Sequence, residues 1–192
     1  RPRLFAVVQG GAERDLRRRC AEALLEIGFD GFGYGGWPLD GDGNLLVDIL
    51  GYVRELIPAH FPLHALGVGH PANVAACYEL GYGIFDSAMP TRDARHGRLY
   101  TFKNPPTGPS AGLSGKKWLQ FLYPPDDRHI KASGPISEYC DCPICSRYSL
   151  GYLRHLFKLN DSLYPRLATI HNLRFMTQLT DRLRARRMAS NG

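Results

Sequence analysis

Four short apolar runs constrain what this chain can fold into more than any other feature. Each closes on glycine or aspartate, and the first three are each followed by a helical pattern. The first run is Leu4-Phe5-Ala6-Val7-Val8, ending at Gln9-Gly10-Gly11. The second lies between Asp30 and Gly36 and ends on Gly35-Gly36. The third is Leu63 to Val68, ending in Gly67-Val68-Gly69, and the fourth, Gly83-Ile84-Phe85, ends on Asp86. Between the first two, Ala12 to Ile27 carries Leu16, Cys20, Leu24 and Ile27 at the spacing of one helical face, and Gly28 stops it. Asn44 to Ile57 places Leu46, Ile49, Leu50, Val53 and Ile57 on one face, and Pro58 closes it. Pro71 opens a third helix, in the position where its missing N–H costs nothing, with Val74, Cys77 and Tyr78 as the apolar face.

Strand–helix units of about 25–30 residues are βα units, and a tandem of them predicts a parallel sheet. Four units make half of an eightfold barrel, so the expected class is α/β, with four units of a TIM-type barrel over residues 1–102. A half-barrel leaves open sheet edges, so we expect missing N-terminal residues or a second piece that completes the sheet. A small four-stranded doubly wound sheet is the alternative. Residues 103–192 break the pattern. Lys103 to Gly115 is rich in Pro, Gly and Ser and reads as loop, and Trp118 to Tyr123 reads as a short strand. Two helices follow, Ser146 to Leu159 and Thr169 to about Arg187.

In the segment after the fourth run, Asp86-Ser87-Ala88-Met89-Pro90-Thr91-Arg92, a carboxylate stands at the end of a buried strand. That is where α/β enzymes place chemistry. The bland reading is a helix cap or a salt-bridged aspartate. A tight proline-containing loop with Arg92 and Arg95 is expected after it. The formal net charge of +6 fits a polyanion partner, with arginines clustered at Arg17-Arg18-Arg19 and at Arg182, Arg184, Arg186 and Arg187. Taken singly, each cluster reads as a solvated helix face. No apolar run reaches the ~20 residues of a membrane span.

Three of the five cysteines fall in Cys140-Asp141-Cys142-Pro143-Ile144-Cys145. A disulfide within so short a span would be strained. The spacing points to a metal in a reducing, cytoplasmic compartment. His171 is the fourth ligand expected, with His155, His129 and His96 as rivals. A Cys₃His set suits structural Zn2+, because four protein ligands leave no open position for a substrate. Cys20 and Cys77 read as core thiols, His64 and His70 as structural or surface groups, and Trp37 as core or pocket wall.

Together these motifs resemble the tRNA-guanine transglycosylases, the queuine tRNA-ribosyltransferase family. The resemblance runs from Val7-Val8-Gln9-Gly10-Gly11 through Gly35-Gly36, Gly67-Val68-Gly69 and Phe85-Asp86 to Arg92, and on to the cysteine cluster and His171-Asn172. It implies the C-terminal half of a (β/α)8 barrel with a zinc-binding helical subdomain attached. It implies base exchange at a guanine in tRNA, in which Asp86 attacks the ribose, forms a covalent ester and is displaced by a 7-deazaguanine base. Gln9, Gly35, Gly36 and Trp37 match base-edge contacts, Leu66 and Gly67 the pocket wall, and Arg92 and Arg95 basic residues facing RNA. Further acid/base aspartates of the family lie upstream of the matched region. A homodimer, or pairing with a second family subunit, is implied as well. A non-catalytic zinc-containing partner subunit and a DNA-modifying relative are the other readings. One departure stands out. Where the family has Leu or Phe and then a segment ending in Glu, this chain has Trp37-Pro38-Leu39-Asp40-Gly41, without the glutamate.

Overall fold

The computed structural model describes residues 1–105, 113, 115 and 117–190. The chain forms two compact units, Arg1–Ser87 and Ala88–Gly192. The sequence pattern divides the chain at 102. The packing divides it after Ser87, because the helix that follows the fourth strand packs along the last helix.

The first unit alternates as expected. Its elements are β1 (Phe5–Val8), α1 (Arg14–Ile27), β2 (Gly31–Tyr34), α2 (Val47–Leu56), β3 (Leu63–Ala65), α3 (Pro71–Glu79) and β4 (Ile84–Phe85). The strands form one parallel sheet in the order β1-β2-β3-β4, with Phe5 opposite Gly31, Phe32 opposite Leu63 and His64 opposite Ile84. Every strand therefore ends on the same edge, and the four glycine- or aspartate-bearing ends line up there. The core lies between sheet and helices, around Val8, Phe32, Leu50, Val53, Leu63 and Val74, all essentially inaccessible. The Tyr82 hydroxyl donates to the Leu50 carbonyl at 2.9 Å and ties the start of β4 to α2. His70 caps α3, its ring Nδ1 accepting from the Ala72 N–H at 3.2 Å.

One helix face differs from its apolar pattern. Leu16 and Ile27 of α1 are exposed, and Arg17 and Ala21 are buried in their place. The arginine is drawn inward because it satisfies backbone carbonyls at the strand ends. Arg17 is thus not part of a solvated basic face. Trp37 is not core either, being 72% exposed.

The second unit comprises α4 (Met89–Arg95), β5 (Leu99–Phe102), β6 (Leu119–Leu122), a short 3-10 turn (Asp127–His129), α5 (Pro143–Arg147), α6 (Leu150–Lys158) and α7 (Leu163–Ser190). The expected arginine-bearing loop after Asp86 is a helix, with Pro90 in its first turn. Strand β5 was not anticipated. It pairs antiparallel with β6, Leu99 facing Leu122. The expected loop 103–115 lies for the most part outside the described residues. The helix expected from Ser146 divides into α5 and α6, because the Ser149 hydroxyl caps α6 by accepting from the Tyr152 N–H. Helix α7 starts earlier than expected, where the Asp161 carboxylate accepts from the Leu163 N–H at 2.8 Å. Fully buried Asn172 joins three elements. Its carboxamide accepts from Tyr100 N–H and donates to the carbonyls of Pro90 and Arg98, each at 3.0 Å. Arg182 lies over the Phe102 ring, 4.1 Å from its centroid, so the C-terminal arginines are not all solvated. Among the described residues no helix is long and apolar enough to cross a membrane.

Candidate functional site

The common edge of the first unit's sheet carries Gln9 after β1, Gly35 and Gly36 after β2, Leu66 and Gly67 after β3, and Asp86 after β4. Two glycines make the approach possible. The Gln9 side chain lies against Gly35, where a β-carbon would meet its carboxamide at 2.6 Å. Gly67 has φ +74°, which lets β3 turn sharply and aim its N–H sideways. That N–H donates to Asp86 Oδ1 at 3.1 Å, and His64 Nε2 lies 2.8 Å from the same oxygen. A carboxylate only accepts, so Nε2 carries the shared proton. Both donors thus converge on Oδ1. The Asp86 side chain is 61% exposed, and His64 is 25% exposed.

Beneath this edge lies the Arg17 guanidinium, with no accessible surface. It donates to the carbonyls of Val8 at 2.7 Å, Gly11 at 2.9 Å and Gly35 at 2.9 Å, and stacks 4.3 Å from the Tyr34 ring centroid. Among the described residues its partners are carbonyls and this ring. Arg17 therefore fixes the backbone on both sides of Gln9 and behind Gly36. Burial raises the Tyr34 phenol above its ordinary value, with Arg17 opposing.

The loop after Gly36 is closed on itself. Leu39 bridges Leu45, Leu46 N–H donates to the Pro38 carbonyl at 2.9 Å, and the Asp40 carboxylate accepts from the N–H groups of Asp42 and Asn44. These bonds, those from Asn44 first, hold the Asp40 carboxyl below its usual range. Trp37 projects from this loop.

In the second unit, the Sγ atoms of Cys140, Cys142 and Cys145 and a ring nitrogen of His171 all lie within 4.8 Å of one another. His171 Nδ1 is 3.7 Å from Cys142 Sγ and 3.4 Å from Cys145 Sγ. Its Nε2 lies 2.8 Å from the Tyr100 carbonyl, which can only accept, so Nδ1 keeps its lone pair for the sulfurs' side. Of the four histidines weighed from the sequence, His171 is the one brought to the cysteines. Hydrogen bonds from Cys140 and then Cys145 pull the Cys142 thiol below its ordinary value, while the same contacts push the Cys145 thiol up. Arg174 grips Asp141, inside the cysteine loop, through two 2.6 Å bonds. The donor set, its spacing and the oriented imidazole fit a tetrahedral metal ion. Arg92 and Arg95 are exposed on α4.

The family model described as queuine tRNA-ribosyltransferase matches residues 1–189. The chain belongs to that family. It is similar to queuine tRNA-ribosyltransferases of Thermoanaerobacter sp. (39% identity over 181 residues), Psychrobacter sp. (35% over 181) and Novosphingobium aromaticivorans (35% over 185). The alignments cover 94%, 94% and 96% of this chain and 44%, 44% and 45% of those proteins. The chain thus spans less than half the length of the curated relatives it matches.

Sequence reasoning missed two residues of this edge. Nothing in Arg17-Arg18-Arg19 marks the first arginine except its position one residue past an apolar one. His64 carried a clearer signal. It stands between Leu63 and Ala65, both buried, so its side chain points to the other face of β3. Only the parallel register to β4 reveals that Asp86 shares that face.

Proposed function

We propose that this chain carries the nucleophile-bearing part of an enzyme that exchanges guanine in tRNA for a 7-deazaguanine base. One Asp86 carboxylate oxygen attacks C1′ of the target ribose. The C1′–N9 bond breaks, guanine leaves with the electron pair and takes a proton from solvent, and an aspartyl–ribosyl ester remains. The ring N–H of the incoming 7-deazaguanine gives a proton back to solvent as its nitrogen attacks C1′ and expels the carboxylate. The exchange is proton-neutral. Gln9 and the backbone at Gly35, Gly36 and Trp37 bind the base edge, and Leu66 and Gly67 form the wall. Exposed Arg92 and Arg95 meet tRNA phosphates. The first unit, with its four parallel strands, is half of a (β/α)8 barrel, and the second unit carries the zinc-binding subdomain. A structural Zn2+ on Cys140, Cys142, Cys145 and His171 ties the cysteine loop to α7 and takes no part in the chemistry. The active molecule is an assembly with a second copy or a related subunit.

The observation that carries this reading is the edge itself. An exposed carboxylate ends one strand of a parallel sheet whose other three strands end in Gln9, Gly35-Gly36 and Leu66-Gly67. The test is covalent trapping with the intact enzyme, a tRNA transcript and duplex DNA as competitor. Wild type should give a denaturant-resistant adduct with tRNA, and Asp86→Asn should give none, because an amide cannot supply the attacking oxygen. An adduct that survives Asp86→Asn, or one formed only on DNA, overturns the assignment.

A further inference from the structure

The hydrogen bonds around Asp86 are one-sided. His64 Nε2 at 2.8 Å and Gly67 N–H at 3.1 Å both go to Oδ1. We infer that His64 is a positioning residue that acts on the second displacement, holding Asp86 as a good leaving group. This rests on Asp86 being the nucleophile of the proposed exchange.

With Oδ1 engaged twice, Oδ2 is the oxygen that presents its lone pair to C1′. In the ester, Oδ2 is bonded to C1′ and Oδ1 becomes the carbonyl oxygen. An ester carbonyl is a weaker acceptor than a carboxylate, because charge-assisted hydrogen bonds are about twice as strong as neutral ones. The His64 and Gly67 donors therefore stabilise the free carboxylate more than the ester. When the incoming base's nitrogen forms its bond to C1′, the C1′–Oδ2 bond breaks and its electron pair returns to the carboxylate. The negative charge that appears there is shared with Oδ1 and meets donors already in place. No oxidant or further reactant is needed. The same interaction slightly weakens Asp86 as an attacking group, so His64 trades a slower first step for a faster second one.

Position explains why a histidine can do this. His64 pairs with Ile84 in the β3–β4 register, and Asp86, just past the end of β4, stands two residues beyond Ile84 and so on the same side of the chain. The imidazole reaches across the strand pair to the carboxylate, while the Gly67 turn brings the second donor from the same loop. The ring is only a quarter exposed.

The test uses the intact enzyme, a tRNA transcript and a 7-deazaguanine base, and reads turnover and the steady-state fraction of trapped adduct together. His64→Asn places its amide too short of Oδ1, and His64→Leu removes the donor altogether. Both should lower turnover about tenfold to a hundredfold, the worth of one charge-assisted hydrogen bond. Both should also raise the fraction of enzyme held as adduct. His64→Gln, whose amide nitrogen falls near the imidazole Nε2, should restore turnover and bring the adduct fraction back down. A purely structural role would lower turnover and adduct together, and that result overturns the inference while leaving Asp86 as nucleophile. Failure of wild type to form an adduct that Asp86→Asn abolishes overturns the reading of Asp86 and this inference with it.

Discussion

The cysteine–histidine cluster and the edge of the parallel sheet assemble their side chains in opposite ways. The cluster draws three ligands from six consecutive residues and one from a helix, and it buries Cys142 and His171. The edge draws one or two residues from each of four strands and leaves Gln9, Gly36, Gly67 and Asp86 exposed. With four protein ligands, a metal ion on this cluster would add stability and leave no open position for chemistry. An exposed edge gains nothing in stability from its functional groups. They must be held by backbone that is stabilised elsewhere, here by Arg17 below and by Gly35 and Gly67 at the turns.

The largest effect should come from taking away the metal. Structural zinc sites contribute ~10–16 kcal/mol of apparent binding energy at neutral pH. Removing Zn2+ with a chelator, or substituting Cys142→Ala, should therefore cost α5, α6 and α7 their hydrogen-exchange protection. Metal analysis should find one zinc per chain before treatment. The amides of β1 to β4 should keep most of their protection. If both units lose protection together, the contrast between a self-stapled cluster and an independently held edge is broken. If protection survives and no zinc is found, the cluster is not a structural site.

The two regions also differed in how much of them the sequence disclosed. A cluster made of close neighbours is written in spacing, so Cys140, Cys142 and Cys145 needed only ligand chemistry, whereas His171 had three rivals and only the fold brings it to the cysteines. The strand–helix alternation was equally plain, because four apolar runs ending in glycine or aspartate have a period. What the sequence hid was pairing at a distance. The contact of His64 with Asp86 depends on the register of β3 against β4, and the inward turn of Arg17 on the carbonyls of Val8 and Gly35. Helical periodicity assigned the face of α1 to Leu16, Cys20, Leu24 and Ile27, but the carbonyls of Val8, Gly11 and Gly35 draw Arg17 inward and Leu16 and Ile27 are left exposed. Strand β5 went unnoticed because Leu99 to Phe102 is short and its partner β6 lies beyond a long intervening segment.

Arg17 gives the second test of the comparison. Arg17→Met keeps an unbranched apolar stem but leaves the buried carbonyl of Gly35 and the partly buried carbonyl of Gly11 without this donor. Each unsatisfied buried acceptor costs ~1–3 kcal/mol, so the first unit should lose about 3 kcal/mol in chemical denaturation. Arg17→Lys keeps the charge without the planar fork that reaches three carbonyls, and should recover less than half of the loss. The Michaelis constant for the base should rise in both variants, because the Gln9 and Gly35 backbone is no longer held. The zinc content should not change. A loss of zinc in Arg17→Met, or full recovery by lysine, would show that the edge is not supported in this way.

The smallest effect, and the sharpest, concerns Pro38. On the proposed reading, the resemblance to the family implies that the peptide following position 37 meets the 7-substituent of the incoming base, with either its C=O or its N–H turned to the pocket. A carbonyl accepts from an aminomethyl arm, and an N–H donates to a nitrile. Proline has no N–H, so only the Trp37 carbonyl can serve here. The surrounding loop agrees with a fixed peptide. Its Leu39–Leu45 bridge and the bond from Leu46 N–H to the Pro38 carbonyl close it on itself. Asp40, one of the two carboxylates that flank the place of the family's missing glutamate, accepts from Asp42 and Asn44 within the loop and so braces the loop itself. The loop should therefore favour a base with a donor arm over a nitrile by roughly tenfold to a hundredfold, the ~1–3 kcal/mol of one buried hydrogen bond. Competition between an aminomethyl and a nitrile 7-deazaguanine on the intact enzyme measures the ratio. Pro38→Ala restores the N–H and should narrow the preference without altering zinc content or the adduct on Asp86. Equal use of the two bases by wild type, or a preference that Pro38→Ala leaves untouched, would mean that Trp37 and Pro38 carry the loop away from the base and that the specificity lies elsewhere on the edge.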